Sequence, residues 1–391
     1  MSRAADRIEQ FFAGRYGREA LYLPSGRLAL YLAFREWLRP GDRLLLSPVD
    51  DDVVFFTVLA AGLVPVIGPL DPKTGNLDPD GVDEATWKTL RGVMTTNLYG
   101  IPDRMDRLVE LCRRHDLLLV EDACQALDTR WEDRRIGEFS AVAAFSLTKH
   151  LSGIGGVLTF TESSRRPSLM QAARAEIGRP TLWERGSRAL RRGVRTAAGA
   201  THTHAFLRSF RRSLLPRREE RPGHRMIYQE QEVQRQREAG AGLDRFDPWV
   251  RVDNAAYRTE PAEADVRRTL IELEAFERSR RRRLEGMQKL LELGLTPAEI
   301  PLPRDRALFK VPLFVRDRER VLHGFARRGL ELDYIYDPPL DLYATEELTV
   351  RIPSRAEALR WSRDVLPVSP LQADRFLCLL REIPPLLPLE A

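Results

Sequence analysis

Between residues 20 and 160, short apolar runs alternate with stretches of helical periodicity. Leu44-Leu45-Leu46, 64–67 and 93–96 predict strands, and 53–61 predicts a helix between the first two. Residues 105–112 put Leu108, Val109, Leu111 and Cys112 on one helical face. The run 117–120 is continuously apolar, as in a strand buried on both faces. Strands are also expected at 141–147 and 156–160. Alternation of this kind predicts an α/β layer with a mostly parallel sheet. Past residue 250 a helical pattern runs through Val266, Leu270, Leu273 and Phe276. Short strands at 309–314 and 349–352 then alternate with helices at 320–328 and 372–383, the pattern of a smaller α+β unit. The division expected is 1–250 for a large domain and 251–391 for a small C-terminal one.

A chain of 391 residues exceeds one ordinary core, which agrees with two unequal domains. With 43% hydrophobic and 30% charged residues the composition is that of a globular protein, not a disordered one. No apolar run approaches the roughly 18 residues that span a bilayer. Residues 1–7 are charged and lack an apolar core segment, which argues against a secretory signal and for the cytoplasm. Cys112, Cys124 and Cys378 have no disulfide or metal spacing, and the six histidines form no ligand motif, so no metal site is expected. Only five of the 62 basic residues are lysine: Lys73, Lys88, Lys149, Lys289 and Lys310. Against that bias each lysine is informative, because an amine can lose its proton and a guanidinium cannot.

Four stations fall where a doubly wound sheet places a ligand, beyond the carboxyl ends of strands. Ser25-Gly26-Arg27 opens an amphipathic helix whose first N–H groups can hold an anion, although a serine cap alone would read the same way. Glu121-Asp122 ends the buried strand, with Gln125 three residues on; one acid can meet a heterocycle nitrogen, or Asp122 can simply cap the next turn. Ser146 and Lys149 end the following strand before the glycine-rich 152–156 turn. Lys149 is either an amine poised for a Schiff base or a surface lysine closing a strand. Thr96-Asn97-Leu98-Tyr99-Gly100 is a strand-to-loop turn flanking the same place.

In this order the stations resemble the DegT/DnrJ/EryC1/StrS (sugar) aminotransferases, pyridoxal-phosphate enzymes with a three-layer, aspartate-aminotransferase-like large domain. The resemblance rests on Asn-Leu-Tyr-Gly-Ile-Pro from Asn97, Val-Glu-Asp-Ala-Cys-Gln-Ala from Val120, Ile136-Gly137, Phe-Ser-Leu-Thr-Lys from Phe145 and Gly155-Gly156. It continues through Tyr257-Arg258-Thr259-Glu260 and Asp364-Val365-Leu366-Pro367-Val368. It implies that Lys149 binds the cofactor covalently and then moves the substrate proton. Asp122 would pair with the pyridinium nitrogen and Gln125 contact the ring hydroxyl. Ser146 and the backbone of Ser25, Gly26 and Arg27 would hold the phosphate. It also implies a homodimer and a small-molecule substrate, a keto-sugar nucleotide or related nucleotide- or lipid-linked sugar, with glutamate or glutamine as amino donor. The chain departs from the pattern where the family places an aromatic or histidine over the ring, since Val49-Asp50-Asp51-Asp52-Val53 stands there. Arg27 replaces a small hydroxyl residue, which would add a direct phosphate contact, and Ala256 replaces the partner-contributed asparagine, with Asn254 two residues away.

Residues 161–225 hold sixteen arginines and five acidic residues, a net +11 in a chain whose total is +5. Apolar and arginine residues interleave at helical spacing around 206–215, which suits peripheral contact with an anionic membrane, a polyanionic substrate, or a plain solvated face. Nucleic acid is not expected, since no aromatic interleaving or binding motif accompanies the charge. Two further readings stay open beside transamination. One is elimination or dehydration on the same fold, favoured by the missing stacking residue. The other is a non-catalytic protein that binds a membrane or partner through the arginine-rich segment.

Overall fold

The computed structural model describes residues 3–151, 153–179, 225–252, 254, 256–332, 336–352 and 355–382. A strand that the sequence reading did not single out, β1 (Glu19–Leu23), precedes the expected β2 (Arg43–Leu46), β3 (Val64–Ile67), β4 (Gly92–Met94) and β5 (Leu118–Asp122). After a small hairpin, β6 (Arg130–Trp131) and β7 (Arg134–Arg135), come β8 (Val142–Ser146) and β9 (Gly156–Phe160). One eight-stranded sheet has the order β1-β9-β8-β5-β4-β2-β3-β11, where β11 is Val350–Arg351. Its neighbours are parallel except at β9, which runs antiparallel to both β1 and β8.

Alternation along the strands sends side chains to two opposite cores. Leu44, Leu46, Val142 and Ala144 join a cluster with helices α2 (Gly26–Trp37), α3 (Asp52–Ala60) and, after residue 225, Leu243–Val250. Leu45, Ala143 and Phe145 join another with α1 (Arg3–Tyr16), α4 (Met105–Arg114) and Glu263–Ala275. Helices therefore cover both faces, which makes three layers and buries the parallel strands on each side. A one-turn helix, α5 (Leu147–His150), follows β8. The later helices are α6 (Leu243–Val250) and α7 (Glu263–Ala275), so α7 packs its Val266, Leu270 and Leu273 into the core that holds α1.

A third cluster gathers around β10 (Val311–Phe314) and β12 (Val365–Val368), an antiparallel pair. Helices α8 (Arg280–Leu291), α9 (Arg318–Arg327) and α10 (Ala373–Leu380) pack on it, and Leu98 and Tyr99 reach it from the large sheet's loops. The strand expected in the small unit at 349–352 goes elsewhere. As β11 it extends the large sheet in parallel with β3, with Ile352 N–H donating to the Ile67 carbonyl at 2.8 Å and the Thr349 hydroxyl to Pro65 at 2.7 Å. The physical reason is that β3 would otherwise present an unpaired edge. The small sheet is completed instead by β12, where Pro312 faces Pro367. That pairing suits a two-stranded ribbon, whose outer edges need no ladder hydrogen bonds. All three cysteines are free, and among the described residues no helix is long and apolar enough to cross a membrane.

Candidate active site

The C-terminal ends of β2, β4, β5 and β8 lie side by side, and the stations named above hang from them. The start of α2 is brought against this edge by glycines. A Cβ on Gly26 would sit 2.8 Å from Cys124 Sγ and 3.1 Å from Ser146 Cβ, and one on Gly156 would sit 2.4 Å from the Gly26 nitrogen. Helix and sheet thus meet backbone to backbone, and the first-turn N–H groups of α2 are set beside the end of β8. Ser25 caps the helix, accepting from Leu28 N–H at 3.2 Å, and its hydroxyl donates to the Tyr257 carbonyl at 2.6 Å. The Arg27 guanidinium donates to the Val250 carbonyl and lies 5.8 Å from the Tyr257 ring centre. A direct anion contact from its side chain would have to share those donors. Ser146 is buried, with its hydroxyl 3.0 Å from that of Thr148.

The acid pair of β5 divides by face. Glu121 accepts from Phe139 N–H, Ser140 N–H and the Ser140 hydroxyl, each at 2.8 Å, and also from Gly137 N–H. It therefore organises the 137–140 loop, a structural task that the sequence left undivided from its neighbour's. Asp122 points the other way, accepting from Cys124 N–H at 2.8 Å. Burial raises its carboxyl above the ordinary range, and the field of Lys149 pulls it back down.

The three aspartates after β2 have three different employments. Asp51 caps α3 through Val53 N–H at 3.0 Å, and Asp52 accepts from Met226 N–H at 2.8 Å. Asp50 is buried, accepts from the Thr96 hydroxyl at 3.1 Å and from Asp51 N–H at 2.6 Å, and is pushed up to about 8 by burial and by Asp122. Asp122 adds to the upward push on Asp50, and Asp51 adds to the upward push on Asp122. The Thr96–Gly100 turn is itself latched, because Asp103 accepts from Thr96 N–H at 3.0 Å and Asn97 N–H at 2.7 Å. Asn97 and Tyr99 hold positive φ of 48° and 56° there.

Lys149 sits on α5, half-buried, and lines a cavity with Gln125, His150, Arg283, Phe309 and Leu371. Gln125 is held from both ends: its oxygen accepts from Tyr99 N–H at 3.0 Å and its amide donates to the Tyr336 hydroxyl at 3.1 Å. His150 accepts from Leu127 N–H at 3.4 Å, and burial lowers it to about 3, so a neutral imidazole lies next to the lysine. Arg283 donates to the His150 carbonyl at 3.3 Å and stacks 3.8 Å over Phe276; burial brings it down to about 10. Arg283, Tyr336 and Arg225 were not singled out from the sequence. Arg225 and Tyr336 have no motif context, and Arg283 is one of five arginines between 278 and 283. The described residues bring together Gly26, Asp122, Ser146, Lys149 and Gln125, and hold no cluster of His, Cys, Asp or Glu fit for a metal. A side-chain-free approach to a helix start, a buried carboxylate and a lysine form a donor set that fits pyridoxal phosphate. Ser152 and the arginine-rich 183–215 stretch lie outside the described residues.

Residues 4–175 match the model of the DegT/DnrJ/EryC1/StrS aminotransferase family. Over 130 residues, 32% of this chain and 34% of the relative, the sequence is 41% identical to a dTDP-3-amino-3,4,6-trideoxy-alpha-D-glucose transaminase of Streptomyces venezuelae. Over 169 residues, 40% of this chain and 37% of the relative, it is 32% identical to a dTDP-4-dehydro-2,6-dideoxy-D-glucose 3-dehydratase of Saccharopolyspora spinosa. The chain thus spans well under half the length of these curated relatives. The fold extends further than the sequence match. It superposes on a DegT DnrJ EryC1 StrS aminotransferase structure from Brucella abortus with a TM-score of 0.66 at 15% identity, covering 98% of this chain and 90% of that one.

Proposed function

We propose, from the premise that residues 4–175 belong to the DegT/DnrJ/EryC1/StrS aminotransferase family, that the chain is a pyridoxal-phosphate-dependent aminotransferase acting on a keto-sugar nucleotide or a related glycan precursor. The observation that carries this reading is the convergence of the α2 start, Asp122 and Lys149 at one sheet edge. When bound, the cofactor supplies an electron sink for the carbon from which a proton is removed. Lys149 would hold it and, as a free amine, would take and return the proton at the substrate carbon. Asp122 keeps the pyridine nitrogen protonated. Ser146 and the first-turn N–H groups of Gly26 and Arg27 hold the phosphate, and Gln125, clamped by Tyr99 and Tyr336, orients the ring hydroxyl. Glutamate or glutamine is the amino donor, and the neutral His150 beside Lys149 adds no competing cation to the pocket.

The test is spectroscopic. Purified protein should show a visible cofactor band that borohydride bleaches, with the label mapping to Lys149. Glutamate should discharge the band and a keto acid restore it. A protein that stays colourless after incubation with pyridoxal phosphate would sink the proposal. Dehydration is the second reading, favoured by Asp50 in place of a stacking ring. Under it a keto-deoxy-sugar nucleotide loses water and its product gains no nitrogen from the donor, whereas transamination leaves the donor's amino group on the sugar. A homodimer in the cytoplasm, checked by light scattering, completes the proposal. Peripheral attachment through the arginine-rich segment would be read from flotation with anionic liposomes at physiological salt.

A further inference from the structure

The cavity beside Lys149 is rich in donors and poor in free acids. Gln125, His150, Arg283 and Ser369 line it with the amine, and Asp128 is its one carboxylate among the described residues. Asp128 is already shared by Arg15 at 3.3 Å and Arg280 at 3.2 Å. Glu277, the other acid whose field reaches Arg283, is shared by the same two arginines at 2.8 and 2.6 Å. Arg283 therefore lines the cavity as a cation without an ion pair among the described residues. Its Nη2 bond to the His150 carbonyl at 3.3 Å and its seat over the Phe276 ring fix the guanidinium. Nε and Nη1 make no hydrogen bond among the described residues, and neither is shut away from the surface. A fixed, half-buried guanidinium with open donors is a fork for a planar oxyanion.

The place of this fork singles out one kind of anion. Arg283 reaches from α8 to the main chain of α5 at His150, the residue after Lys149. His150 Nε2 accepts from Leu127 N–H, so the neutral ring carries its proton on Nδ1 and adds no charge of its own. An amino acid bears its α-carboxylate on the very carbon whose proton Lys149 would move. The phosphates of a sugar nucleotide are held away from its keto carbon by the sugar ring. A cation in the lysine's own cavity matches the first arrangement.

We propose that Arg283 binds the α-carboxylate of the amino donor and so sets the donor's reacting carbon against Lys149. This rests on the aminotransferase reading, which supplies the donor. Full-length protein is loaded with pyridoxal phosphate, and discharge of its visible band is followed with glutamate and with γ-aminobutyrate, which is glutamate without the α-carboxylate. Glutarate, a dicarboxylate with no amine, is added as a competitor. Arg283→Gln should retain cofactor uptake and the borohydride label on Lys149. It should raise the glutamate concentration for half-maximal discharge and the glutarate inhibition constant at least about ten-fold each, the scale of one charge-assisted hydrogen bond. The preference for glutamate over γ-aminobutyrate should fall by a similar factor. An arginine that merely braces α5 would slow both amines alike; an intact preference, or unchanged glutarate competition, overturns the proposal. If glutamine alone discharges the wild-type band, it is compared with 4-aminobutanamide in the same way, and a band that neither donor discharges overturns the proposal too. Should the glutamine variant fail to fold, Arg283→Lys keeps a cation but not the fork, and a wild-type preference in that variant counts equally against it. A protein that takes up no cofactor sinks the aminotransferase reading and this assignment together, whereas a loaded variant with its preference intact sinks this assignment alone.

Discussion

At the scale of single residues the site is defined by carboxyl groups placed where charge is expensive. Asp122 ends β5 and Asp50 follows β2, with β4 between those strands; both are buried, and Lys149 is the cation whose field lowers each. Asp51, capping α3, adds to the repulsion. Asp50, at about 8, keeps its proton in the folded chain at neutral pH, while in the unfolded chain it ionises near its ordinary 3.8. From about pH 4 to pH 8 the folded state therefore holds a proton that the unfolded state has released, and stability falls as pH rises through that window. Asp50→Asn keeps an acceptor and removes the ionisation. The melting temperature of the cofactor-free variant should exceed that of the wild type by a margin that widens steadily between about pH 5 and pH 8.5. Parallel melting curves across that range would show that Asp50 does not carry the linkage.

At the scale of elements, the close meeting of α2 with β8 and β9 is what makes an anion site possible, and its tolerance is small. Gly156→Ala puts a methyl 2.4 Å from the Gly26 nitrogen and 2.5 Å from the Ser25 carbonyl carbon, so backbone must move. A loss of about 1–3 kcal/mol in denaturant unfolding is expected, together with weaker cofactor uptake because the helix start shifts. A variant as stable as wild type would mean that the contact is slack. These elements were legible beforehand. The apolar runs at 44–46, 117–120 and 141–147, the Ser25-Gly26 helix start and Lys149 after Ser146 all declare themselves by period or by local chemistry. What was not legible depends on long-range partners. Nothing in Val350-Arg351 says that it will pair with β3 in the large sheet and not join the small unit. Glu121 and Asp122 look alike in sequence, and only the opposite faces of β5 assign one to a loop and the other to the pocket. Arg225 has no local signal at all, because its meaning comes from carbonyls of residues 50 and 338.

At the scale of the whole molecule, the chain after residue 250 is needed by the layer that precedes it. Helix α7 supplies Val266, Leu270 and Leu273, followed by Phe276, to the core that also holds α1 and β8. The same stretch braces the glycine turn that follows Lys149, since Ile154 N–H donates to the Thr269 hydroxyl at 2.7 Å and a Cβ on Gly153 would strike that side chain. Four buried apolar side chains at about 1.5–3 kcal/mol each amount to roughly 6–12 kcal/mol, comparable to the entire stability of an ordinary domain. β11 adds to this by covering the edge of β3. A fragment ending at residue 250 would leave that core open and that edge unpaired, so it should accumulate as aggregate or show no cooperative unfolding by circular dichroism. The full chain should unfold with its large sheet and α7 in one transition. A soluble 1–250 fragment that melts cooperatively within a few degrees of the full chain would place α7 and β11 outside the folding unit. It would also require another element to supply the four side chains that the second core now takes from residues 266–276.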